Sequence, residues 1–237
     1  MRCKFNTYRG FSLIEIAVVL LVIGLLLGMI LKPLGAGFDQ SKRRQAQLQL
    51  EEIRDALIGF AVVNSRLPCP STVMGAGQEP ALCNESNGYV PSVVLGISGN
   101  FNSGGLLLDP WGNPIRYSVS LADFGEAGTQ GSADFVVADE MRAVGMQNLK
   151  PDLVICSEKV SNSCDTGKVR ANSIPAVIYS LGKDAKDDST QGRRVGDKVY
   201  FVSREYSQKS GEEFDDIVIW LSDNVLFTRM IEAGVLP

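Results

Sequence analysis

Histidine is absent from all 237 residues. That absence excludes His-based catalytic triads, imidazole general bases and His-ligated zinc. Positive charge is also in short supply, with 23 Lys and Arg against 27 Asp and Glu and a net charge of −4. No global basic field draws nucleic acid, and none is expected as a partner. Internal repeats and low-complexity tracts are missing, as are phosphate-loop, dinucleotide-binding and nucleophile-elbow patterns. Asp215 and Asp216 are neighbours in sequence, and on a strand such neighbours point to opposite faces, so they make a poor acid–base pair. The chain is therefore read as a non-enzyme without catalytic residues or a required cofactor. At 45% hydrophobic and 21% charged residues, it is neither disordered nor a multi-span membrane protein.

The apolar residues are unevenly spread. Phe11 to Leu31 reads FSLIEIAVVLLVIGLLLGMIL, with Ser12 and Glu15 as its strongly polar members. As a helix this run spans roughly 32 Å at about 1.5 Å per residue, the thickness of a bilayer core. Before it come ten residues with Arg2, Lys4 and Arg9 and no acid, a basic start that indicates membrane targeting. A conventional signal peptide would have a shorter apolar core, and a plain anchor does not explain Glu15. A carboxylate inside an apolar run costs up to about 2.5–3.5 kcal/mol at the bilayer centre, less near the headgroups.

The stretch Gly10-Phe11-Ser12-Leu13-Ile14-Glu15 closely resembles the type IV prepilin cleavage and methylation motif. There a short basic leader ends in Gly before an apolar helix that carries Glu. The resemblance implies that a prepilin peptidase cuts between Gly10 and Phe11 and methylates the new amino group of Phe11. It also implies that Glu15 serves assembly, by meeting the Phe11 amine of a neighbouring subunit. A buried amine and carboxylate each cost free energy unless paired. The expected partners are that peptidase, other pilin or pseudopilin subunits, an inner-membrane assembly platform and the lipid bilayer. The expected place is the bacterial inner membrane, single-pass, with the globular domain in the periplasm.

Past the apolar run, Pro33 is expected to disturb the helix locally. Ala46, Leu50, Ile53, Leu57 and Phe60 then recur at helical spacing and define one inward face. Strands are expected over Ile115–Leu121, Asp134–Ala138, Leu153–Cys156, Ala176–Leu181, Val199–Ser203 and Ile217–Leu221. A final helix capped by Ser222 or Asp223 should turn Leu226, Met230 and Ala233 inward, with Gly234 past its end. The expected fold is α+β and type IV pilin-like. Its long N-terminal helix, membrane-spanning in the first half, packs on a C-terminal antiparallel β-sheet domain. The corresponding divisions are a leader over 1–10, a transmembrane half over 11–31, an amphipathic continuation over 32–64 and a β-rich periplasmic or extracellular domain over 65–237.

With Cys3 in the leader, four cysteines remain, and three pairings are open. Local pairing, Cys69–Cys83 and Cys156–Cys164, asks least of the fold and suits an exported chain. Asp109-Pro110-Trp111-Gly112-Asn113-Pro114, followed by Tyr117, looks like an element of type II secretion pseudopilins. Physically it is a pair of turns with Trp111 as a core plug. Asp184, Asp187 and Asp188 after Gly182, with Asp215 and Asp216 later, resemble the acidic calcium loop of major pseudopilins. Calcium takes six to eight oxygens from flexible loops. The spacing is not that of an EF-hand, and Lys183, Lys186, Arg193 and Arg194 could neutralise the acids, so the residues themselves read as a solvated acidic loop. The favoured function is a pilin-like, minor subunit of a type IV filament. The alternatives are a type II secretion pseudopilin or a singly anchored periplasmic binding protein.

Overall fold

The computed structural model describes residues 11–124, 133–158, 163–165, 167–186 and 191–236, without the side chains of 27–37. Gly10, the leader, Asp187 and Asp188 lie outside the described residues. Helix α1 runs over Leu13–Asn64, 52 residues. The helix is continuous through Pro33, the position of the expected local disturbance. Contacts divide the chain within this helix into a unit ending at Lys42 and a unit beginning at Arg43. In the first unit every described side chain from Phe11 to Leu26 is exposed. Among the described residues no helix is long and apolar enough to cross a membrane.

The second unit is built on the expected stripe. Ala46, Leu50, Ile53 and Leu57 are buried, and Ala61 rather than the half-buried Phe60 continues the face. Among the described residues eight strands form two sheets. Strands β1 (Asn87–Tyr89), β2 (Arg116–Val119), β5 (Ala176–Ser180) and β8 (Ile217–Leu221) make an antiparallel sheet in the order β1-β2-β5-β8. Strands β3 (Leu153–Cys156), β4 (Val169–Ile174), β6 (Arg193–Val195) and β7 (Lys198–Val202) make the second, ordered β4-β3-β7-β6. That sheet departs from the antiparallel expectation, since β3 and β7 run parallel. Their connection is long enough to allow it, passing through β4, β5 and β6.

Alternation along β5 explains the layering. Ala176 and Ile178 join the α1 stripe, Tyr117 and Leu221 in one core, while Val177 and Tyr179 join Leu153, Ile155, Val199 and Phe201 in a second. The first sheet thus lies between the C-terminal part of α1 and the second sheet, with both faces buried. The described residues of this unit also form three short helices, α2 (Ser92–Leu95), α3 (Glu140–Val144) and α4 (Asp223–Glu232). Ser222 caps α4, its hydroxyl accepting from Val225 N at 3.3 Å. Leu226 and Met230 point inward as expected, whereas Ala233, one residue beyond the helix, is exposed.

Asp134–Ala138 is not a strand. Its backbone turns, Val136 N donating to Ala133 O at 3.1 Å, and drops Phe135 fully into the core. Both disulfides expected on the local scheme are present, Cys69–Cys83 and Cys156–Cys164, with Cα separations of 5.6 and 5.7 Å. Arg66 grips Glu79 with two bonds, of 2.9 and 2.6 Å, beside the first of them. Glu79 also accepts from Cys69 N at 3.0 Å. Burial opposes the Glu79 charge, but Arg66 and that amide hold its pKa below the ordinary value.

Two outcomes follow for stability. Replacing Cys69 and Cys83 with Ser should lower the unfolding free energy by about 2–4 kcal/mol in chemical denaturation. Asp134 is buried beside Phe124 N, and burial raises its pKa from 3.8 to about 6. The folded chain therefore binds this proton more tightly than the unfolded chain. Its favourable contribution is complete below the unfolded value and is lost as pH rises through the folded one. Asp134→Asn should gain melting temperature relative to wild type between about pH 4 and about pH 7.5; a difference that shrinks over that range would contradict the assignment.

Candidate assembly site

The start of α1 is built simply. Ser12 O accepts from Glu15 N at 3.0 Å and from Ile16 N at 3.2 Å, which places Glu15 in the first turn. An acidic side chain there complements the positive end of the helix dipole. Phe11 and Glu15 are both exposed, as are the apolar side chains around them. A single chain therefore offers a carboxylate, an aromatic side chain and an apolar surface around them, all without burial of their own.

In the second unit, the DPWGNP turn is organised around a buried carboxylate that sequence reasoning did not single out. Asp109 Oδ1 accepts from Trp111 N at 2.9 Å and Asn113 N at 2.8 Å, and Oδ2 accepts from Ser180 Oγ at 2.6 Å. Asn113 Nδ2 reaches across to Gly182 O at 2.7 Å. The turn is thereby fastened to the end of β5. Trp111 is half-buried rather than a core plug, because the hydrogen-bonded turn holds its backbone at the domain surface. The Asp-x-x-x-Asn spacing was the available signal, since Asp side chains bond amides two and four residues on.

The acidic loop is also held by internal bonds. Asp215 Oδ2 accepts from Lys183 N at 2.6 Å and Asp184 N at 2.9 Å. Gly182 has φ +64°, and a Cβ there would lie 2.5 Å from Asp215 O. Only glycine fits, both by conformation and by space. Arg43, at the start of this unit, donates to Asp215 O at 2.8 Å and lies over the Tyr206 ring at 4.2 Å. Burial and the neighbouring Asp184 charge raise the Asp215 pKa, whereas Lys186 holds that of Asp184 low against some burial.

Of the residues suggested as calcium ligands, the structure brings together Asp184 and Asp215. Asp216 turns to Gln191, whose Nε2 donates to Asp216 Oδ2 at 2.8 Å. Asp184 carries Lys186 Nζ at 3.0 Å. Among the described residues no group of three or more acidic or sulfur side chains is arranged to hold a metal. Asp215 Oδ2 already accepts two amides, and Asp187 and Asp188 lie outside the described residues.

Comparison with known proteins bears on the start of the chain. The model of the prokaryotic N-terminal methylation motif matches residues 5–31. The chain is 30% identical over 136 residues to the type II secretion system core protein G of Pseudomonas aeruginosa, covering 53% of this chain and 88% of that protein. The chain belongs to the type IV pilin-like family that includes the pseudopilins. No solved structure matches. Proteins of this pilin-like family are anchored in the inner membrane with their globular domains in the periplasm. Membership also implies processing by a prepilin peptidase and assembly with other pilin-like subunits.

The loop geometry sets a test independent of any metal. In buffer with chelator, Asp215→Ala should lower stability by about 1–3 kcal/mol, because two amides lose a charged acceptor. Asp215→Asn keeps an acceptor oxygen and should recover about half of that loss. Equal stability of all three proteins by thermal melting would show that the loop does not depend on this carboxylate.

Proposed function

We propose that this chain is a structural subunit of a type II secretion-type pseudopilus or a closely related type IV filament, present as a minor component. The observation that carries this reading is the junction Gly10-Phe11 with Glu15 four residues on, in a segment that the methylation-motif model matches. The similarity to a type II secretion core protein favours the pseudopilin over an extracellular pilus subunit. In this reading a prepilin peptidase cuts after Gly10 and methylates Phe11. The apolar part of α1 then anchors the chain singly in the inner membrane until the assembly platform draws it into a filament.

Glu15 is the physical handle for that transfer. Exposed in the single chain, it becomes buried when apolar helices pack side by side, and a buried carboxylate needs a cationic partner. The methylated amine of Phe11 on a neighbouring subunit supplies one. Calcium is not required by this reading, and any calcium binding at Asp184 and Asp215 would be an addition to it.

Substitution at Gly10 and Glu15 separates assembly from anchoring. Gly10→Leu should leave an uncut precursor by mass spectrometry. Glu15→Leu should be cut and membrane-bound in normal amount. It should nevertheless be depleted from sheared filaments, since stranding a buried charge costs on the order of 3–5 kcal/mol. Equal recovery of wild type and Glu15→Leu in the filament fraction would reject the pairing mechanism. A wild-type protein missing from that fraction would reject the filament role.

A further inference from the structure

The two disulfides differ in their surroundings. Cys156 is fully buried and packs with Val202 and Phe214. Cys69 and Cys83, by contrast, both line an open cleft of about 550 Å³. One wall of that cleft comes from the loop that these two cysteines close, with Pro80, Ala81 and Leu82, and the other from Val136, Val137 and Ala138. Within the pair exposure is unequal: Cys69 is 6% exposed, whereas Cys83 is half-buried. A group that enters the cleft therefore reaches Cys83 more readily than Cys69.

The loop has fastenings besides the sulfur bridge. Arg66 holds Glu79 with two bonds, and Glu79 accepts from Cys69 N at 3.0 Å. Ser71 and Tyr89 exchange backbone bonds of 2.8 and 2.9 Å, and Gly77 O accepts from Val93 N at 3.0 Å. None of these bonds uses a sulfur atom, so each is kept when the bridge opens.

We propose that Cys69–Cys83 is a thiol-exchange site of the folded chain, and that its reactant is the dithiol of a redox protein whose active-site segment enters this cleft. One thiolate of that dithiol attacks Cys83 Sγ. A new S–S bond forms there, the Cys69–Cys83 bond breaks, and Cys69 leaves as a thiolate that takes a proton from water. The second thiol of the redox protein loses its proton and attacks the first, releasing Cys83, which is protonated in turn. The redox protein ends as a disulfide, and two electrons have passed to this chain. Run backwards, the same steps close the bridge. The walls favour a protein dithiol over a small thiol. Leu82 is 67% exposed and Val137 half-buried, and an extended segment buries apolar area against them that a small thiol does not have. The exchange needs the folded globular unit and is independent of the filament reading.

The test treats the full chain in detergent with thioredoxin as the dithiol probe, kept reduced by its reductase. Free thiols are then located by alkylation and mass spectrometry. Cys69 and Cys83 should be freed at least about tenfold faster than Cys156 and Cys164, while circular dichroism remains that of the folded chain. Ala81→Trp and Ala138→Trp add bulk at exposed positions of the two walls. Each should slow the thioredoxin reaction by about tenfold and leave reduction by dithiothreitol within about twofold of wild type. Opening of both bridges at one rate, or opening only in urea that unfolds the chain, overturns the site. Tryptophan variants that react with thioredoxin as fast as wild type overturn entry through the cleft. Equal slowing of thioredoxin and dithiothreitol overturns the choice of a protein dithiol.

Discussion

The burial of one face of α1, from Ala46 to Ala61, is the constraint on which the globular unit depends. These side chains lie against the antiparallel sheet with the buried residues Tyr117, Ile178 and Leu221. Full burial of a leucine or isoleucine stabilises by about 1.5–3 kcal/mol. Leu50, Ile53 and Leu57 are all at or near zero exposure, so this stripe is a large fraction of what a domain of this size retains. Because the helix supplies one wall of the core, the sheet must offer it one face and find another cover for the second. The second sheet is that cover. The three layers follow from where the helix ends its apolar stripe.

Polar fastening works on top of that packing. Asp109, Ser180, Asn113, Gly182, Asp215 and Arg43 form a chain of bonds. It ties a turn, the end of β5, a loop before β8 and the helix to one another. Apart from the Ser180–Asp109 bond, each link holds a backbone group of an irregular segment. Charged residues that look like ligand donors in sequence are here acceptors for amides. The motif is the same in both cases, since a carboxylate at the end of a turn suits N–H groups as well as cations.

What was legible in the sequence divides along physical lines. The helical stripe of α1, the strands Leu153–Cys156 and Ile217–Leu221, the α4 cap and both disulfides were readable, because apolar periodicity and local spacing carry them. β1, β4 and β6 were not. Asn87–Tyr89 contains a central glycine, Val169–Ile174 is mostly exposed, and Arg193–Val195 is charged, so none shows an apolar alternation. They are edge strands, held by a neighbour's hydrogen bonds and not by their own burial. Asp134–Ala138 erred in the opposite direction: a short apolar run reads as a strand, yet it serves as a turn that inserts one phenylalanine. In the candidate site, Phe11 and Glu15 stand out by their place in the motif, whereas the bond from Asp109 to Ser180 joins residues far apart along the chain.

The cysteines have a consequence for how the chain matures. Each bond joins a cysteine to the next one along the sequence, across 14 and 8 residues. A chain entering an oxidising compartment from its N-terminal end presents Cys69 and Cys83 long before Cys156 and Cys164 appear. Oxidation in order of arrival therefore yields the native pairs, and the third and fourth thiols never compete for the first. Neither bond has to wait for the sheets to form. Covalent closure of each loop can keep pace with entry into such a compartment.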